Sequence, residues 1–309
     1  MPAVLANGLT LEYESLGDPA SPAIVLIMGL GMQLVGWPDD FCRRLAAEGY
    51  RVVRFDNRDC GLSSRIRPRR WWPSPLLALT AARLGLPVLA PYSLEDMAKD
   101  TVALMDALGI GKAHVVGASM GGMIAQVLAA RFPDRVLSLT SMMSASGRRT
   151  GARPKKEALR VFMRRPPASA DAAAVIAYLV EVFTVIGSPG FPTEPRLLRE
   201  RISGWVRRAY DPAGTVRQLL AVVASGDRRR LLHRIVAPTL VIHGADDPLV
   251  PVEAGRDTAR NVPGAKLLII EGMGHDLPDA LLPRLAKEIA GHCRDSVPGA
   301  AQPAGRAGR

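Results

Sequence analysis

The sequence predicts an α/β fold, in which a mostly parallel sheet is flanked by helices and a helical cap is inserted between two strands. Short apolar runs alternate with amphipathic stretches along the chain, which is typical of repeated β-then-α units. Between residues 147 and 236 the spacing of apolar residues is helical and no strand-like run occurs. A chain of 309 residues is long enough for one large domain of this kind.

The predicted strands are short apolar runs flanked by glycine, proline or charged residues. In chain order they are residues 9–17, 23–28, 51–56, 113–118, 135–145, 239–244 and 266–272. The first alternates polar and apolar residues, so we expect it to pair antiparallel at an edge. The predicted helices are residues 39–50, 75–85, 93–110, 120–132, 171–187 and 195–210. Ser93 and Asp96 form a capping-box-like start for the third helix.

These elements divide the chain into two parts of one core with a cap between them. The expected segments are a first core part at 1–146, the cap at 147–235, a second core part at 236–293 and a disordered tail at 294–309. The tail is rich in proline, glycine and alanine and has almost no large apolar residue, so it has little to bury.

Composition narrows the class of protein. The net charge is +11, but the basic runs at 65–70, 148–156 and 227–230 are separate and lie in no nucleic-acid-binding motif, so we expect a solvated basic surface and no nucleic-acid partner. The three cysteines form no CxxC pair, which indicates a reducing compartment. No signal peptide is visible, and the apolar run at 23–37 is too short to span a bilayer. We therefore expect a cytoplasmic protein without membrane insertion.

The stretch GASMG at residues 117–121 predicts a nucleophilic serine. A strand-like run precedes Ser119 and a helix-like run follows it, which is the context that a G-x-S-x-G turn requires. Gly117 and Gly121 are the small neighbours that such a strained turn needs. The helix that follows directs backbone N–H groups at the serine.

A serine hydroxyl needs a base, and His275 is the preferred candidate. It follows the strand at 266–272, at the edge of the sheet where parallel strands end and ligands bind. The other histidines are expected to be structural or solvated. His114 and His243 lie in predicted strands, His233 lies in the cap-to-core connection, and His292 lies near the tail, where we expect solvation.

The base in turn needs a carboxylate to orient it, and VIHGADDPLVP offers two. Asp247, directly before Pro248, is preferred, and Asp246 is the alternative. The oxyanion of an acyl transfer also needs backbone N–H donors. We expect these from Met120, which directly follows the serine, and from Leu30 in the glycine-rich loop of residues 28–32.

With these residues in place, the sequence resembles the α/β-hydrolase superfamily over residues 5–293. The resemblance rests on GASMGG, GADDPLVP and GMGH, which carry the three candidate side chains in the order Ser, Asp, His. The stretch from MGLGMQLVGW to DNRDCGLSS is similar to the aclacinomycin methylesterase-like carboxylesterase group. Met28-Gly29 stands where the superfamily usually has His-Gly, and Arg58-Asp59 stands where it usually has Arg-Gly.

The resemblance implies a cofactor-free and metal-free hydrolase that cleaves a small-molecule ester, apolar or methyl, through an acyl-enzyme. The same three side chains also serve thioesterases, carbon–carbon bond hydrolases and perhydrolases, and the same scaffold serves non-catalytic receptors. Thioether side chains adapt to varied apolar groups, so several methionines near the predicted site are candidates for the pocket. The candidate pocket residues are Met28, Met32, Trp37, Met143 and Met273. The alternative for the methionines is that they fill the core.

Overall fold

A computed structural model describes residues 2–66, 72–148, 153–164, 167 and 171–296 of the chain. Parts of the two basic runs at 65–70 and 148–156 lie outside the described residues, and so does the predicted tail from residue 297 onward.

The described residues form eight strands and eleven α-helices. The strands are β1 (Ala3–Ala6), β2 (Leu9–Leu16), β3 (Ala23–Ile27), β4 (Arg51–Phe55), β5 (Ala113–Ala118), β6 (Val136–Met142), β7 (Thr239–Gly244) and β8 (Lys266–Ile270). The helices are α1 (Asp39–Ala47), α2 (Pro75–Arg83), α3 (Leu94–Ala107), α4 (Met120–Arg131), α5 (Lys156–Met163), α6 (Ala172–Ile186), α7 (Pro195–Arg208), α8 (Pro212–Ser225), α9 (Arg229–Leu232), α10 (Val252–Asn261) and α11 (Leu282–Asp295). Each predicted strand and helix is present, and β1 and the division of the cap into five helices were not predicted.

The strands form one sheet in the order β1-β2-β4-β3-β5-β6-β7-β8. β1 and β2 are antiparallel, as expected for an alternating edge segment, and the pairs from β4 to β8 are parallel. The central strands β3, β5 and β7 are buried at every residue, which is why they read as continuous apolar runs. The prediction of a mostly parallel sheet flanked by helices is confirmed.

Two hydrophobic cores cover the two faces of this sheet. Alternate residues of β3 and β5 face opposite ways, so Val25 and Val115 pack against α3 and α4, whereas Ile24 and Val116 pack against α1 and α11. All parallel strands end at the same edge, and the loops after β3, β5, β7 and β8 meet there. Ligand sites of parallel sheets form at this edge.

Helices α5 to α9 lie between β6 and β7, and the described residues of this insert contain no strand. At the C-terminus, α11 continues to Asp295, two residues into the stretch expected to be tail. The expectation that His292 is solvated is wrong: its side chain is buried, and its Nε2 lies 3.2 Å from the carbonyl oxygens of Leu139 and Pro238. None of the helices in the described ranges combines the length and the apolar character that crossing a bilayer requires.

Candidate active site

Ser119 lies in a strained turn between β5 and α4. Its φ is 55° and its ψ is −119°, a conformation that a non-glycine residue rarely adopts. The turn is possible because its neighbours have no side chain. A Cβ on Gly117 would lie 2.2 Å from the Gly121 carbonyl oxygen, and a Cβ on Gly121 would lie 2.0 Å from the Ile27 carbonyl oxygen. The Ser119 amide donates to the Met142 carbonyl at 2.9 Å, which ties the turn to the end of β6.

His275, in the loop after β8, lies between Ser119 and Asp247. Its Nδ1 is 2.6 Å from Asp247 Oδ2, and its Nε2 is 3.0 Å from Ser119 Oγ. Because a carboxylate only accepts hydrogen bonds, Nδ1–H donates to Asp247 and Nε2 is left to accept from the serine hydroxyl. The structure therefore brings the three sequence-predicted side chains into one chain of hydrogen bonds. Asp247 and His275 are buried, which limits the access of water to them, whereas Ser119 is half-buried.

The two candidate aspartates differ in what they contact. Asp247 Oδ1 accepts from the amides of Leu249 at 2.9 Å and Val250 at 2.8 Å, so its carboxylate is held by the loop that follows it. Asp246 Oδ2 instead accepts from the Gly272 amide at 2.9 Å. Asp246 thus joins the loops after β7 and β8, whereas Asp247 faces His275.

A second histidine lies beside Asp247. His243 is fully buried, and its Nε2–H donates to the Val250 carbonyl at 2.8 Å and lies 3.6 Å from Asp247 Oδ2. A Cβ on Gly255 of α10 would lie 2.4 Å from His243 Nδ1, so only glycine at this position leaves room for the ring. Burial lowers the pKa of His243, which keeps the ring neutral. The prediction that His243 is a packed group is confirmed, and its position next to the acid was not foreseen.

The two expected oxyanion donors lie on either side of Ser119. Met120 is the first residue of α4, where backbone N–H groups have no partner within the helix. Leu30 follows Gly29, whose Cβ position lies 3.1 Å from the Ser119 Cβ, so the loop of residues 28–32 runs directly against the serine. Among the described residues, neither amide donates to another group of the chain, whereas the neighbouring Gly31 amide does. Both amides are therefore free to donate to a bound group.

The end of the cap helix α6 holds the histidine loop. The His275 amide donates to the Ile186 carbonyl at 2.7 Å, and the Gly274 amide donates to Ser188 Oγ at 2.8 Å. Ser188 Oγ in turn donates to Asp276, whose pKa is raised by burial. Sequence reasoning missed Ser188, and the sequence offers only a weak signal for it, a serine followed by proline and glycine.

Four of the five candidate pocket residues belong to one buried core cluster, and the fifth, Met32, is half-buried against it. Trp37 and Met273 have no exposed surface, and Trp37 stacks on Phe41 with ring centroids 5.5 Å apart, so the structure places both in the core and at no open cavity. The side-chain ends of Met28 and Met32 meet at Gly36, 3.1 and 3.0 Å from its Cβ position. Met143 follows the end of β6 with a φ of 41°. Met28, Met32 and Met143 stay candidates for lining the site.

In the described ranges, no group of three or more His, Cys, Asp or Glu side chains is arranged to hold a metal ion. Two buried carboxylates in the loop after β4 are instead paired with arginines. Arg208 Nη1 lies 2.7 Å from Asp56 Oδ2, and Arg217 binds both carboxylate oxygens of Asp59 at 2.7 and 2.9 Å. These pairs join the cap to the loop after β4. Both aspartates belong to the DNRDCGLSS stretch, so part of that stretch serves to bind the arginines of the cap.

The sheet, the turn at Ser119 and the connected Ser, His and Asp side chains define the α/β-hydrolase class. A family model described as "alpha/beta hydrolase fold" matches residues 22–173, and one described as "TAP-like protein" matches residues 220–280. The chain belongs to the α/β-hydrolase family. Among curated proteins, it is similar to rhodomycin D methylesterase DnrP of Streptomyces peucetius, with 31% identity over 93% of this chain and 95% of the relative.

A second methylesterase, rhodomycin D methylesterase DauP of Streptomyces sp. (strain C5), is also 31% identical, over 94% of this chain and 97% of its own length. Solved structures with the same fold are more distant in sequence. The meta-cleavage product hydrolase CumD of Pseudomonas fluorescens IP01 has a TM-score of 0.72 at 19% identity, covering 96% of this chain and 98% of its own. A thermophilic esterase from Thermogutta terrifontis has a TM-score of 0.67 at 21% identity, over 96% of this chain and 98% of its own.

Proposed function

We propose that this protein hydrolyses a carboxylic ester through an acyl-enzyme formed on Ser119. The observation that carries the proposal is the hydrogen-bond chain from Ser119 through His275 to Asp247, with distances of 3.0 and 2.6 Å. Such a chain activates a hydroxyl that is otherwise a weak nucleophile at neutral pH.

Each half of the reaction uses the same groups. Ser119 Oγ attacks the ester carbonyl carbon while its proton moves to His275 Nε2, and the carbonyl oxygen becomes an oxyanion. The N–H groups of Leu30 and Met120 stabilise that charge, and Asp247 stabilises the histidine that has gained the proton. As the carbon–oxygen bond breaks, His275 returns the proton to the leaving alkoxide. Water then attacks the acyl group with His275 as base, which frees Ser119 and releases the acid.

The substrate class comes from the relatives. Both methylesterases cover more than nine tenths of this chain, so the proposed substrate is a methyl ester or another apolar ester of a small molecule. Met28, Met32 and Met143 are the proposed apolar lining, because thioether side chains adapt to varied groups. We further propose that no metal or other cofactor takes part and that the protein acts as a cytoplasmic enzyme.

The test compares ester hydrolysis by the wild-type protein and by Ser119→Ala, using p-nitrophenyl acetate and butyrate together with methyl esters of aromatic acids. Losing the nucleophile is expected to lower kcat by at least about 10⁴-fold. Equal rates in the two proteins contradict the proposal. A fluorophosphonate probe should label the wild-type protein at Ser119 and leave the variant unlabelled.

The chain offers a matched control in a second buried serine–histidine pair. Ser138 Oγ lies 2.8 Å from His114 Nδ1, but His114 Nε2 has no partner among the described residues. His114 lies five residues before Ser119 on β5, about 16 Å away, and Ser138 lies beside it on β6. Ser138→Ala should therefore keep the kcat of the wild type. If the esters are not hydrolysed but a thioester, a vinylogous diketone or a mixture of a carboxylic acid and hydrogen peroxide is turned over rapidly, the same groups serve one of the related chemistries instead.

A further inference from the structure

The cap helix α8 contacts the loop of residues 28–32 through one buried glutamine. Gln218 is fully buried in a helix whose sequence is largely apolar, and a buried amide is unfavourable unless its polar atoms are bonded. Both ends of the amide are satisfied by the core. Its Oε1 accepts from the Gly31 amide at 2.7 Å, and its Nε2 donates to the Arg58 carbonyl at 2.8 Å. The side chain therefore links two core loops from the cap side.

Gly31 is fitted to this contact. Its φ is +66°, and a Cβ on it would lie 2.7 Å from Oγ1 of Thr215, three residues before Gln218 on the same face of α8. The loop thus rests on α8 at two adjacent points. On its other side, the Met28 carbonyl accepts from Asn57 Nδ2 at 3.0 Å, and Gly29 packs against Ser119.

Leu30 lies between these two supports. The peptide that carries the Gly31 N–H and the peptide that carries the Leu30 N–H meet at the Leu30 Cα, so fixing one restricts the rotation of the other. A donor to the oxyanion is effective only when it is already oriented before charge develops. The bond from Gly31 to Gln218 supplies that orientation from outside the loop.

We propose that Gln218 is a positioning residue for the oxyanion hole: by binding the Gly31 amide and the Arg58 carbonyl, it makes the aim of the Leu30 N–H depend on the docked cap. The proposal rests on the proposed ester hydrolysis. The hydrogen bonds of Gln218 go to Gly31 and Arg58 and not to Ser119 or His275, so we infer that it acts on the transition state through the loop. Its removal should therefore lower kcat and leave KM little changed.

The experiment uses Gln218→Met, which keeps the volume of the side chain and removes both hydrogen bonds. Gln126→Met is the matched control, because Gln126 is an equally buried glutamine whose hydrogen bond goes to Ser141 Oγ, at 3.0 Å, and not to the loop. For each protein we would measure kcat and KM with p-nitrophenyl butyrate, the rate constant of fluorophosphonate labelling, and Tm.

Gln218→Met is expected to lower kcat and the labelling rate together, by about tenfold to hundredfold, because misdirecting a donor costs less than deleting it. Its KM should stay within about threefold of the wild type, and Gln126→Met should lower Tm with kcat within about twofold. A Gln218→Met protein with wild-type kcat, with a loss confined to KM, or with a kcat loss no larger than that of Gln126→Met would overturn the proposal.

A second variant reaches the same contact from the loop side, in case Gln218→Met does not fold. Gly31→Ala should push the loop away from Thr215 and lower kcat in the same way, and adding Thr215→Ala should restore part of it. Unchanged kcat in Gly31→Ala counts against the proposal. A wild-type protein that neither hydrolyses esters nor reacts with the probe overturns the proposed function and this inference together, whereas an active wild type with an unaffected Gln218→Met overturns the inference alone.

Discussion

Replacing Asp247 with asparagine tests whether the carboxylate sets the tautomer of His275. In the structure, Asp247 Oδ1 accepts two backbone N–H groups, at 2.9 Å from Leu249 and 2.8 Å from Val250. The oxygen of an asparagine would keep these two bonds, so its NH₂ group would face His275 Nδ1. That nitrogen must then accept, which moves the histidine proton to Nε2. A protonated Nε2 in a neutral ring cannot take the proton of Ser119.

The magnitude follows from this change of tautomer. An equivalent exchange in a Ser-His-Asp site lowers kcat by about 10⁴-fold while the geometry is retained. We expect a loss of about 10³- to 10⁴-fold here, which corresponds to about 4 to 5.5 kcal/mol of transition-state stabilisation. The assay is kcat for p-nitrophenyl butyrate, corrected for the rate of Ser119→Ala, with Tm measured to show that the fold is kept.

Asp246→Asn is the matched control. Asp246 Oδ2 accepts from the Gly272 amide at 2.9 Å, and an asparagine oxygen keeps that bond, so kcat should fall by no more than about fivefold. If Asp246→Asn loses more kcat than Asp247→Asn, the assignment of Asp247 as the orienting acid is refuted.

Two further predictions concern stability. Gly121→Ala should destabilise the fold by about 3 kcal/mol and abolish activity, because its Cβ would lie 2.0 Å from the Ile27 carbonyl oxygen. Gly111→Ala is the control, because its Cβ would meet nothing within 4 Å, and it should change Tm little. Equal losses of unfolding free energy in the two variants, measured with urea, would contradict this prediction. Burial lowers the pKa of His114 from 6.5 to about 4, so the unfolded chain binds the extra proton first and stability falls as the pH drops from 6.5 towards 4. Between pH 6.5 and 5 this amounts to between about 1 and 2 kcal/mol, which His114→Gln should remove from the pH dependence of urea unfolding. An identical slope in both proteins would disprove it.

The sequence could predict the fold because each strand and helix carries its own local signal. β3 and β5 are continuous apolar runs. Ser93 and Asp96 predict the start of α3, and the structure contains the capping box that they form. Ser119 could be singled out in the same way, because the shape of its turn depends on the glycines next to it. Side chains whose partners are distant carried no such signal. Gln218 binds Gly31, 187 residues away, and the residues next to either of them in the sequence do not predict the contact.

The burial of individual side chains was the second property that could not be predicted from the sequence. Trp37 and Met273 lie next to loops at the edge of the sheet where the site forms, yet both are fully enclosed. His292 lies near the end of the chain, yet α11 folds it onto the carbonyls of Leu139 and Pro238. Proximity along the chain does not determine whether a side chain faces solvent, since that depends on which other elements cover it.

The sequence by itself determined the parallel sheet, the helical cap and the candidate Ser119 and His275, because local periodicity and turn chemistry encode these features within a few residues. The sequence preferred Asp247 and left Asp246 as the alternative, and only the tertiary structure shows that the two carboxylates face different groups, His275 and the Gly272 amide. It alone also placed Gln218 and Ser188 of the cap against the loops that carry the candidate donors and the histidine. The physical reason is that side-chain direction and long-range contacts arise only when separate elements pack together.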